Sequence, residues 1–329
     1  MPISRSPLVL ALLAALALTL APAALAQEAA PWRDWQTSAH AGDALAGKIW
    51  SVREKRFVAP AALTDALAKA DFVLIGEVHD NPDHHRLQAW LIDEIAKDRK
   101  PAIVMEMISL DQEPALQAYM ASPGSDAAGL GAALDWGESG WPDWPNYQPI
   151  AEAVFRAGLA LLPGDPSRTT IRSVSSGGFD SLAPGERTRL ALDGPLPGKL
   201  AAALDEDIRE SHCDLLPEAA LGPMAQVQRF RDAALAGALA EAGGEGGAIL
   251  ITGNGHVRTD RGVPWYLARR APETSMSSVM LLELDEGENS VAGLTVAGPD
   301  GEPAADYFWF TPRAEREDQC EKLRQRLQK

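Results

Sequence analysis

At 329 residues and 46% hydrophobic content, the chain is long enough to bury a large core, as one elaborated α/β domain or two small ones. Its formal charge of −16 argues against nucleic acid and against an anionic membrane surface as partners.

Residues 1–26 read as an export signal. Arg5 supplies the positive start, Leu8 to Leu20 the apolar stretch, and Ala24-Leu25-Ala26 the small-residue cleavage site. The apolar run is too short and too rich in alanine for a membrane span. No cysteine follows the cleavage site, so lipid attachment is not expected there. The mature chain is therefore expected to be soluble, in the periplasm or secreted.

Residues 27–45 are expected to form a flexible leader. An α/β domain then begins, with a first part over 46–195 and a second over 243–312. A helix is expected around Thr64–Lys69. Strands are expected at Phe72–Gly76, Ala102–Met107, Leu159–Pro163, Ala248–Thr252, Val279–Leu284 and Asp306–Thr311. Apolar runs separated by amphipathic stretches predict a mainly parallel sheet flanked by helices.

The first strand runs into Gly76-Glu77-Val78-His79-Asp80-Asn81-Pro82. Asn81 is a good N-cap and Pro82 a good first helical residue, so a helix is expected from Pro82 to about Lys97. Its spacing puts His84, Gln88, Leu91 and Ile95 on one stripe, with His85 flanking it. The stripe must face the sheet, which carries His84 and Gln88 inward beside Glu77 and His79. Glu106 closes the strand Ile-Val-Met-Glu-Met, and in a parallel sheet it lies at the same edge. There it serves either a reaction or an ordinary structural ion pair.

Residues 134–149 hold three tryptophans and Tyr147 among prolines, and read as an aromatic loop. Such a loop marks an interface or a packed lid. Residues 164–195, rich in Gly, Ser, Pro and Asp, read as the approach to a helical insertion at 196–242. The tail, 313–329, reads as a charged helix or a disordered end. Cys213 and Cys320 either pair in an oxidising compartment or remain two thiols.

A second motif, Thr252-Gly253-Asn254-Gly255-His256, follows a strand and precedes a plausible helix start at Gly262-Val263-Pro264. Its glycines allow close backbone approach, so His256 can reach the rim that holds His79. Glu77, His79, Glu106 and His256 together could bind a divalent metal or polarise a water, with His84 or His85 as acid or orienting group. In the insertion, His212, Cys213 and Met224 offer haem-ligand chemistry among alanines and leucines, or ordinary helix packing. Gln228, Arg231 and Asp232 share one helix face. They form a surface set, or direct the arginine toward propionates or toward the acidic rim.

These residues resemble the ChaN family of haem-binding iron-uptake proteins, within the broader Tiki and TraB superfamily. The resemblance rests on Gly76-Glu-Val-His-Asp-Asn-Pro with His84, His85 and Gln88, on Gly253-Asn-Gly-His256, and on Ser211-His-Cys213 followed by Pro217, Met224, Gln228 and Arg231-Asp232. It covers about residues 45–310. It implies a parallel-sheet α/β domain with a small helical pair, and haem held at a homodimer contact by a tyrosine with a histidine assisting. It further implies delivery through an outer-membrane haem or iron receptor system. No tyrosine lies between Tyr147 and Tyr266, so the insertion cannot supply that ligand. His212 becomes the best local candidate for iron or for a propionate, and Tyr147 is second. Wider relatives, the Tiki proteases and erythromycin esterases, imply the alternative of an esterase or peptidase working at the two Gly-x-x-His motifs.

Overall fold

The computed structural model describes residues 30–286 and 290–327. The expected export signal lies outside them, as do the first residues of the leader. Eight strands form one sheet: β1 (Ile49–Ser51), β2 (Arg56–Val58), β3 (Phe72–Glu77), β4 (Ala102–Ser109), β5 (Leu161–Asp165), β6 (Ala248–Gly253), β7 (Met276–Glu283) and β8 (Tyr307–Thr311). Their order is β2-β1-β8-β7-β3-β6-β4-β5. The run from β8 to β5 is parallel throughout. Among these strands β1 pairs antiparallel with both β2 and β8, so the short β1–β2 hairpin caps one edge. Its strands are too short to stand out as an alternating pattern in the sequence.

Alternate residues of each central strand enter opposite cores, as the pleat requires. Val73 and Ile75 join one apolar cluster, while Phe72 and Leu74 join the other. The first cluster is covered by α1 (Pro60–Leu67), α2 (Pro82–Ala96), α3 (Glu113–Met120), α4 (Ala127–Ala133) and α5 (Trp144–Ala157). The second lies under α6 (Arg168–Gly177), α9 (Glu218–Ala242) and α10 (Val263–Arg270), joined by Leu182 and Leu190 on either side of α7 (Pro184–Arg189). Between α7 and α9 in the chain comes α8 (Gly198–Ser211), which packs on the first half of α9 in a small cluster of its own. Short α11 (Val291–Leu294) and terminal α12 (Gln319–Leu327) complete the chain.

Three expectations change. Residues 30–45 are not loose: Trp32 stacks on Trp90 and Trp309, and Asp83 accepts hydrogen bonds from the Gln36 and Thr37 amides. The aromatic loop turns helical from Trp144, because Pro145 sits in the first turn, where a missing N–H costs nothing. The approach segment at 164–195 contains α6 and α7 rather than plain loop. Cys213 and Cys320 are joined in a disulfide that ties α12 to the turn after α8.

The chain runs outward from β3 through β4 to β5, then returns with β6 between β3 and β4 before continuing to β7 and β8. That reversal opens a crevice at the carboxyl ends of β3, β6 and β4, the position where parallel α/β sheets bind ligands. Glu77 and Gly253 lie opposite one another there, and Glu106 rises from the neighbouring strand.

Candidate functional site

Two linked polar groups fill this rim. The first centres on Glu77, which is fully buried at the end of β3. Its Oε1 meets His79 Nδ1 at 2.8 Å and accepts from the Tyr147 hydroxyl at 3.1 Å. Its Oε2 lies 3.4 Å from His85 Nε2 and has no closer partner. Burial alone would raise the Glu77 pKa, but His85 and then His79 outweigh it and hold the carboxyl far below its ordinary value. Tyr147 is buried too, and burial with the Glu77 charge pushes its phenol above the ordinary value of 10.0. Its hydroxyl is also shared with the His79 carbonyl at 3.3 Å. Tyr147 is thus a buried donor on α5 inside the rim, engaged by Glu77 and the His79 carbonyl, and it does not stand on the helical pair with the other haem candidates.

The glycines of both motifs make this geometry possible. A Cβ on Gly76 would strike Asn254 and stand 2.7 Å from Val257 Cγ2, and one on Gly253 would stand 2.9 Å from His79 Nε2. His79 alone among the rim histidines reaches solvent, with 34% of its side chain exposed. Its other face meets Trp141 at 4.7 Å between ring centroids. Burial opposes its protonation, but the hydrogen bond and charge of Glu77 win, and its pKa is raised.

His84 has a different task. The Val78 N–H donates to its Nδ1 at 2.9 Å, which leaves the proton on Nε2, 2.8 Å from Thr311 Oγ1. Burial and the neighbouring His85 push its pKa down to about 3, so it stays neutral. Both nitrogens are spent on joining the motif loop to β8. Asn81 caps α2 as expected, accepting from the Asp83 N–H at 3.0 Å. Gln88 is buried on the same inward stripe, its amide donating to the Ile75 carbonyl at 3.3 Å.

The second group centres on Glu106, which is also buried. It accepts from Thr252 Oγ1 at 2.6 Å, the Gly253 N–H at 2.8 Å and Arg231 Nη2 at 2.9 Å, and meets His256 Nε2 at 3.3 Å. The other His256 nitrogen lies 2.6 Å from Asp232 Oδ1, with the Gln228 amide 3.2 Å away. Burial would lower the His256 pKa, yet the Glu106 and Asp232 carboxylates push it up to about 10. Glu106 in turn is held well below its ordinary value, because His256 and Arg231 outweigh its burial. Arg231 also bridges to Asp165 at 2.7 Å.

Gln228, Arg231 and Asp232 therefore meet the rim, and the helix that leaves the insertion supplies half of this ion cluster. Spacing alone had left that face open between surface, propionate and rim. Asp165 and Thr311 were missed, since lone polar residues at strand ends carry no motif, and Thr252 was read only as the start of the second motif. Among the described residues, no group of three or more His, Cys, Asp or Glu is arranged to hold a metal ion.

The helical pair presents a separate surface. Met224 packs half-buried against Leu196, Leu204, Ile208 and Leu221, which makes it part of the pair's core. Cys213 is committed to its disulfide and supplies no thiolate, a correction to the haem candidates. His212 caps the C-terminus of α8. Its Nδ1 lies 2.8 Å from the Ile208 carbonyl, one turn back, and 3.1 Å from Ser211 Oγ. A carbonyl only accepts, so Nδ1 carries a proton, and Nε2 makes no hydrogen bond among the described residues.

A profile of haem-binding uptake proteins, described as Tiki superfamily, ChaN, matches residues 63–267. The chain belongs to the ChaN family. Its fold is similar to that of ChaN of Campylobacter jejuni, a structure described as cofacial haem binding to that protein. The two share 21% identity and a TM-score of 0.62, over 79% of this chain and 95% of the other. Looser likenesses are to a mutant of the erythromycin esterase EreC in its open conformation (TM-score 0.41, 13% identity, 83% and 99% of the chains) and to the type III effector HopBA1 (TM-score 0.42, 12% identity, 76% and 91%). No curated protein gives a significant match. As a ChaN protein the chain is a member of a haem-binding family, and its mainly parallel sheet with flanking helices is the fold of that relative.

Proposed function

We propose that this ChaN protein is an exported haem carrier of the periplasm. It works as a homodimer, receives haem from an outer-membrane haem or iron receptor system, and uses His212 as the iron ligand. The observation that carries this reading is the His212 ring: the main-chain carbonyl of Ile208, a residue of the helical pair's apolar cluster, holds its Nδ1, and Nε2 makes no hydrogen bond among the described residues. A ring-nitrogen donor fixed in this way suits haem iron, whose axial ligand is tuned by the hydrogen bond on its second nitrogen. One helical pair would cover only one face of a flat apolar macrocycle, and a second copy would cover the other. Haemin titrated into the mature chain should shift the Soret band and double the mass seen by light scattering. An unshifted band in the wild type sinks the proposal.

A second reading is favoured by one observation, the Glu77–His79 pair open to solvent at the crevice. Glu77 holds the proton on His79 Nδ1, so Nε2 is placed to take a proton from water during ester or peptide hydrolysis. Glu106 and His256 saturate one another, and this favours acid–base chemistry over a metal held by all four residues. An activated-ester substrate should then turn over, and His79→Ala should slow it by about a hundredfold or more. No turnover by the wild type removes this reading and leaves the haem reading intact.

A further inference from the structure

A cavity of about 440 Å³ opens beside the rim, lined by Trp136, Trp141 and Trp144 with Asp135, Glu138 and Asp143. We propose that it binds an organic cation with apolar substituents, of the quaternary-ammonium or protonated tertiary-amine class. Its volume falls in the range of small-molecule sites, roughly 300–1,000 Å³.

The walls are fixed in place. Trp136 Nε1 donates to the Pro142 carbonyl at 2.8 Å, and Trp144 Nε1 donates to the Ala127 carbonyl at 3.0 Å. With both indole N–H groups engaged inside the protein, the half-buried Trp141 and Trp144 supply the ring surface of the cavity, and Trp136, only 3% exposed, backs the corner. Trp136 and Trp144 meet at 4.8 Å and 68°, so they form a corner instead of a flat stack. Gly131 makes room for the second ring, since a Cβ there would stand 2.7 Å from the Trp144 indole.

The mouth carries three carboxylates and one nearby guanidinium, Arg168, whose Nη2 donates to the Glu138 main-chain carbonyl at 3.3 Å. Asp135, Glu138 and Asp143 are exposed, and among the described residues no lysine, arginine or histidine pairs with any of their carboxylates. A neutral apolar ligand would use the rings and leave the carboxylates idle, and an anion would be repelled. A cation with apolar substituents uses both, because the ring faces attract positive charge and the carboxylates add to that field. Trp141 also touches His79, so an occupant is one side chain away from the open histidine of the rim. The proposal rests on neither reading of function above.

The probes are choline and its uncharged isostere with carbon in place of the quaternary nitrogen. Each is titrated against the mature chain at low ionic strength, by tryptophan fluorescence and calorimetry. Choline should saturate a single site and bind about tenfold more tightly than the isostere. Trp141→Ala should weaken choline about tenfold and Asp143→Asn about threefold, with far-UV circular dichroism unchanged in both. Asp143 is exposed, so its variant keeps the test decisive even if Trp141→Ala disturbs packing. Equal affinity for choline and the isostere overturns the proposal, as does tighter binding of a neutral sugar such as glucose. So does a choline affinity that Asp143→Asn leaves unmoved, or no saturation by about 100 mM choline.

Discussion

At the sheet rim, Glu106 meets four donors and His256 meets two carboxylates, whereas on the helical pair His212 keeps one ring nitrogen unengaged. The rim is the denser in polar groups by far, yet most of its capacity is spent internally. Much of that density fastens α9 to the sheet: Arg231 and Asp232 come from the helix, and Glu106, Asp165 and His256 from strands and a strand-end loop. Charged residues of the pair are engaged in surface ion pairs, such as Arg209 with Glu206 and Glu218, and His212 supplies its available nitrogen. Saturation separates a structural polar cluster from a ligand site better than the number of titratable residues does.

The largest effect that tests this contrast is on stability. His256→Ala leaves Glu106 and Asp232 buried without the cation between them, and should cost about 3–5 kcal/mol. Calorimetry should show Tm falling by on the order of 10 °C. A fall of only about 2 °C would place the rim among ordinary surface ion pairs. A smaller effect is expected for haemin: His212→Ala should weaken it about tenfold, or about 1.4 kcal/mol, and His79→Ala less than about twofold. Equal losses in the two variants would merge the two regions into one site.

The smallest effect is the pH dependence of stability. His256 is raised to about 10 from its ordinary 6.5, so its contribution is complete below 6.5 and is lost as pH climbs through 10. His84 is depressed to about 3, so stability is withdrawn as pH falls below 6.5 and the unfolded imidazole takes up a proton. Glu106, held below its ordinary 4.5, adds a further loss on the acid side as pH falls through and below that value. These groups together place the maximum near pH 6.5. Denaturant midpoints rising from pH 6.5 to pH 9 would contradict the His256 assignment, and midpoints falling from pH 5 to pH 6.5 would contradict that of His84.

Much of this was legible beforehand where local chemistry is strong. Asn81-Pro82 marks a helix start through capping and a fixed φ, and the apolar runs at 72–76 and 248–252 mark strands buried on both faces. The inward placement of His84 and Gln88 followed from helical spacing. The rest depends on tertiary partners. Tyr147 looked like a loop residue within reach of haem, and only the packing of α5 carries its hydroxyl to Glu77. The face of α9 became part of the rim only because the 25-residue helix spans from the helical pair down to the sheet. Cysteine pairing across a separation of 107 residues cannot be read from spacing.

That covalent link has a consequence for how the chain breaks. The segment it encloses includes all of α9 and the strands β6, β7 and β8, three members of the parallel sheet. A protease that nicks any exposed turn between residues 213 and 320 leaves both fragments joined through sulfur. The cut protein therefore runs as one species on a denaturing gel until a thiol is added, and only then separates into two.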